Sequence, residues 1–123
     1  MKLLLLIFGL IVSFNSFAMD GNGFFAVCDP PERNQLADFT CMAYLRASTD
    51  LVLNGQKTFQ SFSEEIRRKI AETMKVSCMP TSIETTQVKM ISIKWYRDHP
   101  DKLNNYAISE IREALEDSFP CKQ

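Results

Sequence analysis

From Leu36 onward, apolar residues recur at steps of three and four between short polar breaks, which is the period of amphipathic helices. Leu36, Phe39, Ala43, Ala47 and Leu51 mark the first stripe, broadened by Cys41, Tyr44, Leu45 and Val52. With Asn34 as N-cap and Asn54-Gly55 as stop, the spacing predicts a helix over about 35–54. Tyr44, beside Ala43 and Ala47, is expected to pack where a neighbouring helix comes close. Phe62, Ile66, Ile70 and Met74 predict a second helix from Ser61 or Ser63 to Val76. Glu64, Glu65, Arg67, Arg68, Lys69 and Glu72 are its solvated face. A third begins after Ser82 and Thr85, carrying Val88, Ile91 and Trp95 inward with Met90, Ile93 and Tyr96 beside them. It stops near Arg97 or Asp98, because Pro100 lacks a backbone donor and drives His99 out of helical geometry. The fourth puts Ala107, Ile108, Ile111, Ala114, Leu115 and Phe119 on one face, with Glu110, Arg112, Glu113 and Asp117 mostly on the other, until Pro120 ends it.

Upstream, Phe24, Phe25 and Val27 predict a brief helix or extended segment over 24–28, laid on the bundle and broken by Asp29-Pro30-Pro31. Met19 to Gly23 reads as a flexible leader of turn residues with no packing pattern. Strand-like alternation, internal repeats and low-complexity tracts are missing from the sequence. The expected fold is all-α, a small disulfide-stapled bundle of about four helices. Residues 19–34 form a leader and short N-terminal segment, and 35–123 the helical domain, stapled from Cys28.

The first 18 residues follow another pattern. Met1-Lys2 is a basic start, Leu3 to Val12 an apolar core, and Ser16-Phe17-Ala18 a signal-peptidase site, so residues 1–18 are read as a cleaved signal peptide. The apolar run is too short to serve comfortably as a stable membrane anchor. No cysteine follows the cut directly, which argues against a lipid anchor. Export to an oxidising compartment suits the four cysteines, Cys28, Cys41, Cys78 and Cys121, as two disulfides. Three pairings are open. Two antiparallel helices between Cys78 and Cys121 bring those two together, favouring Cys78–Cys121 and leaving Cys28–Cys41, although in an up-down bundle Cys28 could lie at the same end. With no CxxC and a single histidine, His99, the alternative of a zinc site has little support.

Charge excludes more than it identifies. The formal net charge is −1 with acids and bases interspersed, and no basic run suggests a nucleic-acid footprint. Glu64-Glu65 and Glu116-Asp117 are neighbours in sequence on solvated faces, so they diverge rather than converge on a substrate. No glycine-rich phosphate loop is present, and no cofactor is expected. An enzyme is not expected.

Cys41-Met42-Ala43-Tyr44-Leu45 with Ala47 and Asp50, then Cys78-Met79-Pro80, Thr86-Gln87, Trp95-Tyr96 before His99-Pro100-Asp101, Ala114-Leu115 and Phe119-Pro120-Cys121, resemble in order the pattern of the Rap1a/Tai family. The resemblance covers about residues 28–121. Two departures stand out: Ala43 and Ala47 where the family often has glycine, and a charged helix between Gly55 and Cys78 that shorter members lack. The resemblance implies a periplasmic immunity protein that binds and inhibits a peptidoglycan amidase delivered by a type VI secretion system. It further implies a non-catalytic chain, homodimeric in some members. In related bundles a loop joining late helices enters the amidase groove. The equivalent connector here is residues 97–104, with Arg97, His99, Asp101 and Lys102 as the partner contacts. The alternative is an exported interaction protein, acting as a secreted effector or envelope protein on a different partner.

Overall fold

The structure, a computed structural model, describes residues 19–121, so the expected signal peptide lies outside the described residues. Five helices follow one another: α1 Gly21–Cys28, α2 Gln35–Ser61, α3 Glu64–Thr73, α4 Thr85–Asp98 and α5 Ala107–Ser118. A 3₁₀ turn, Pro100–Lys102, joins the last two. The fold is all-α, as the periodicity predicts. Helices α1, α2, α4 and α5 enclose one core of Phe24, Cys28, Cys41, Leu45, Met79, Val88, Tyr96, Ala107, Ile111 and Leu115. Among the described residues no helix is long and apolar enough to cross a membrane.

The N-terminal segment is more ordered than its composition suggests. Asp20 caps α1 by accepting from the Gly23 amide at 2.8 Å, and Ala107 N–H donates to Met19 O at 2.7 Å, tying the segment to the start of α5. Gly21 is buried so tightly that a Cβ there would sit 2.6 Å from Tyr96 Cε1 and 2.8 Å from Leu103 O. These contacts correct the expectation of a flexible leader: its turn residues are a helix cap and a close approach.

Helix α2 departs from expectation twice. It runs through Gly55 to Ser61, because no described glycine takes the left-handed conformation that would stop a helix. The next residue, Gln56, is buried, and its side chain both donates to Met79 O (2.9 Å) and accepts from Met79 N–H (2.8 Å). That clamp rewards continuation of the helix. The second departure is its orientation. Cys41, Leu45, Ser48, Thr49 and Gln56 face inward, while Leu36 and Phe39 are each 72% exposed and Leu51 58%. Cys41 is bonded to Cys28 of α1, which turns its own stripe to the core and the Leu36–Leu51 stripe to solvent. Ser48 and Thr49 tolerate burial because their hydroxyls donate to Tyr44 O and Leu45 O.

Helix α3 is capped by Ser63 and has no buried residue; Phe62, Ile66 and Met74 are largely exposed, so the expected apolar stripe exists without a core to enter. It borders an open groove of about 590 Å³ with Leu51, Val52 and Phe59 of α2 and Ile108 of α5. In α4 the inward face is Val88, Ser92 and Tyr96, one helical step round from the expected Val88–Ile91–Trp95. Ser92 fits there because its hydroxyl donates to Val88 O, and Tyr96 packs against Phe24 and Phe25 with ring centroids 5.5 and 5.7 Å away. The α4 N-cap is Glu84 rather than Ser82 or Thr85, without a side-chain cap bond.

Cys28–Cys41 is buried, with Cα atoms 5.0 Å apart, whereas Cys78–Cys121 (4.7 Å) sits in the open beside an antiparallel bridge of Ser77 with Pro120. On the chain-entropy account these closures stabilise by about 3 and about 4 kcal/mol respectively. Mass-resolved thiol labelling under rising reductant should therefore open Cys78–Cys121 before Cys28–Cys41, and full reduction should lower Tm sharply. An unchanged melt with all four thiols free would refute this. A second comparison tests the α2 clamp. Gln56→Ala should cost about 2–4 kcal/mol by leaving both Met79 backbone groups buried and unpaired. Gly55→Ala, whose new methyl meets nothing within 4 Å, should instead stabilise by about 0.5–1 kcal/mol in denaturant melts.

Candidate partner-binding connector

The segment between α4 and α5 is organised from one buried carboxylate. Glu110, 2% exposed, lies between Ala107, Ile111 and Ala114 on the inner face of α5. Its Oε2 accepts from Trp95 Nε1–H at 2.9 Å and its Oε1 from Asn105 Nδ2 at 2.8 Å, while Lys102 Nζ stands 3.6 Å from Oε2. Lys102, 26% exposed on its side chain, also donates to Glu113 and lies 5.1 Å from the centroid of the Trp95 ring. The Glu113 hydrogen bond, opposed by partial desolvation and assisted by the Glu110 charge, holds the Lys102 ammonium above the usual lysine range. A buried carboxylate is tolerable only with such partners. The arrangement overturns the placement of Glu110 on a polar face. The legible signal was its register, since Glu110 falls three residues after Ala107 and four before Ala114.

His99 ends α4. Its ring stacks on Trp95 at 3.9 Å between centroids, and its Nδ1–H donates to Trp95 O at 2.8 Å. Trp95 is thus half-buried under the connector, between His99, Lys102 and Glu110, instead of in the core where its spacing with Ile91 puts it. Burial, followed by the nearby Glu110 charge, pushes the neighbouring Tyr96 phenol far above its ordinary value, so it stays protonated.

The four sequence-predicted contacts divide accordingly. His99 and Lys102 meet on the Trp95 ring and serve the connector's internal packing. Arg97 is exposed and pairs with Asp29 across the turn after α1 at 2.8 Å. Asp101 is exposed on the 3₁₀ turn. Sequence reasoning did not single out Asn104 and Tyr106, which also face solvent; Tyr106 is 63% exposed although its backbone bridges Asp20. The Asp98 carboxyl is held below its usual range by the Lys94 hydrogen bond, with which it forms an exposed ion pair beside the turn. Chemically this is a stiff polar protrusion. Among the described residues no group of three His, Cys, Asp or Glu side chains is placed to hold a metal ion.

If Glu110 is the anchor, Glu110→Ala should lose about 2–4 kcal/mol of stability. It should also shift the emission of Trp95, the protein's single tryptophan, in the still-folded protein. Asp101→Ala should do neither. Unaltered emission and melting in Glu110→Ala would mean that the carboxylate does not hold the connector.

Comparison with curated proteins and with solved structures returns no match. A family model described as Rap1a immunity proteins matches residues 20–121, from the α1 cap to the last cysteine. The stapled helices and their anchored connector lie wholly within that match, and the chain belongs to the Rap1a immunity protein family.

Proposed function

We propose that this protein acts in the periplasm by binding and inhibiting a peptidoglycan amidase delivered by a type VI secretion system, and that the α4–α5 connector is the inhibitory element. The observation that carries the reading is the family match over the whole folded unit. Two disulfides support an oxidising compartment. The anchored connector supports the mechanism. A loop already held in shape by Glu110, Lys102 and Trp95 loses little conformational freedom on docking, so more of its contact energy remains as affinity. Arg97 and Asp101 would meet the partner directly. The exposed Arg97–Asp29 pair is easily exchanged for an intermolecular one, because exposed ion pairs contribute little. His99 and Lys102 would contribute their outer edges while keeping the turn in place. The protein would act by occupying the amidase groove, with no turnover of its own.

The test is capture of partners by the tagged mature chain from envelope and secreted fractions, followed by a protection assay with the amidase so identified. Arg97→Ala/Asp101→Ala should lose protection at unchanged Tm, and Lys102→Ala should lose both protection and stability. Capture of a partner that is not a cell-wall hydrolase, or recovery of the chain from culture medium instead of the periplasm, would favour the exported interaction protein. Full protection by the double variant would remove the connector from the mechanism.

A further inference from the structure

Tyr106 is a residue whose backbone the fold uses and whose ring it does not. It stands at the N-cap of α5, a position that favours Ser, Thr, Asp or Asn for their capping oxygens, yet its side chain makes no cap bond. The backbone is held from both sides. Tyr106 bridges Asp20 in antiparallel register, and its carbonyl accepts from the Ser109 and Glu110 amides at 3.1 and 3.3 Å. The residue is nevertheless 63% exposed. A fixed backbone presenting a free aromatic ring suits an interface, where the ring supplies contact area and the hydroxyl a polar end. We propose that the amidase-binding face extends past the connector onto the start of α1, with Tyr106 as its aromatic anchor, and that the enzyme meets it with an apolar slot rimmed by basic side chains. The identity of the partner rests on the function proposed above; the chemistry of the face rests on its own residues.

Helix α1 supplies the second half of that face. Asn22, exposed on its first turn, donates from Nδ2 to Leu103 O and to Asn104 Oδ1, each at 3.4 Å. Gly21 lies beneath, so close that a Cβ would stand 2.8 Å from Leu103 O. Asn22, Asn104 and Tyr106 therefore form one polar and aromatic patch, drawn from two segments distant in the chain. Both long amide contacts are at the surface, where a partner can replace them. The charge of this end names the rim it needs. Lys94 is matched by Asp98, Arg97 by Asp29, and Lys102 is outnumbered by Glu110 and Glu113. Asp101, exposed one turn before Asn104, forms no ion pair among the described residues. The face is negative, and a negative face speeds encounter with a basic one and rejects an acidic one.

The experiment is binding kinetics with the amidase that the tagged mature chain captures from the envelope fraction. Tyr106→Ala should weaken the complex by about tenfold or more, mostly through faster dissociation, at unchanged Tm. Tyr106→Phe, which keeps the ring, should retain most of the affinity. Association with the unaltered chain should slow as salt rises, and Asp101→Lys should slow it further at low salt. An amidase bound equally well by Tyr106→Ala, or one that Asp101→Lys meets faster, would overturn the inference and leave the proposed function standing. Capture of no cell-wall hydrolase would overturn both.

Discussion

The bond between Cys28 and Cys41 decides how this molecule is built. It is wholly buried, and it fixes the rotation of the longest helix by forcing Cys41 to the inside. Leu45, Ser48 and Gln56 follow Cys41 inward because they lie on the same face, and the core of α1, α4 and α5 assembles around them. Without that tether α2 has two comparable apolar stripes, and hydrophobic burial alone would not choose the one containing serine, threonine and glutamine.

Once that face is chosen, its polar groups need partners, and the chain supplies them locally. Ser48, Thr49 and Ser92 bond to carbonyls of their own helices. Gln56 completes both backbone groups of Met79 and so holds the segment that leads into Cys78. Glu110 does the equivalent at the other end of the α4–α5 hairpin, drawing Trp95, Lys102 and Asn105 together. Small side chains at these buried positions keep the helices close, and the few large polar ones act as fixed joints. A domain of this size has a modest core, so two covalent closures and two hydrogen-bonded joints are a large share of what keeps it in one shape.

That stiffness suits a protein that works by contact. The connector is polar and exposed at Asp101 and Asn104, yet anchored from beneath by an aromatic ring and a buried acid. Its shape is therefore set by the scaffold before any partner arrives. Membership of an immunity protein family implies that the chain binds a protein effector. Among the described residues, the outer α2 stripe and the groove beside α3 are the main apolar regions left exposed.

Helical class, the C-terminal ends of α4 and α5, the break at Pro100 and the family were legible in the sequence, because they depend on local period, on proline and on ordered motifs. The hairpin between Cys78 and Cys121 also brought those residues to one end, where the structure joins them. Tertiary structure alone decided which stripe of α2 is core, that the helix passes through Gly55, that Met19–Gly23 is ordered, and that Glu110 is buried while Leu36 and Phe39 are not. Hydrophobic periodicity records that a face can be buried. Which face is buried depends on a cross-link and on hydrogen bonds between residues far apart in the chain, such as Gln56 with Met79, and no local window contains both ends of those.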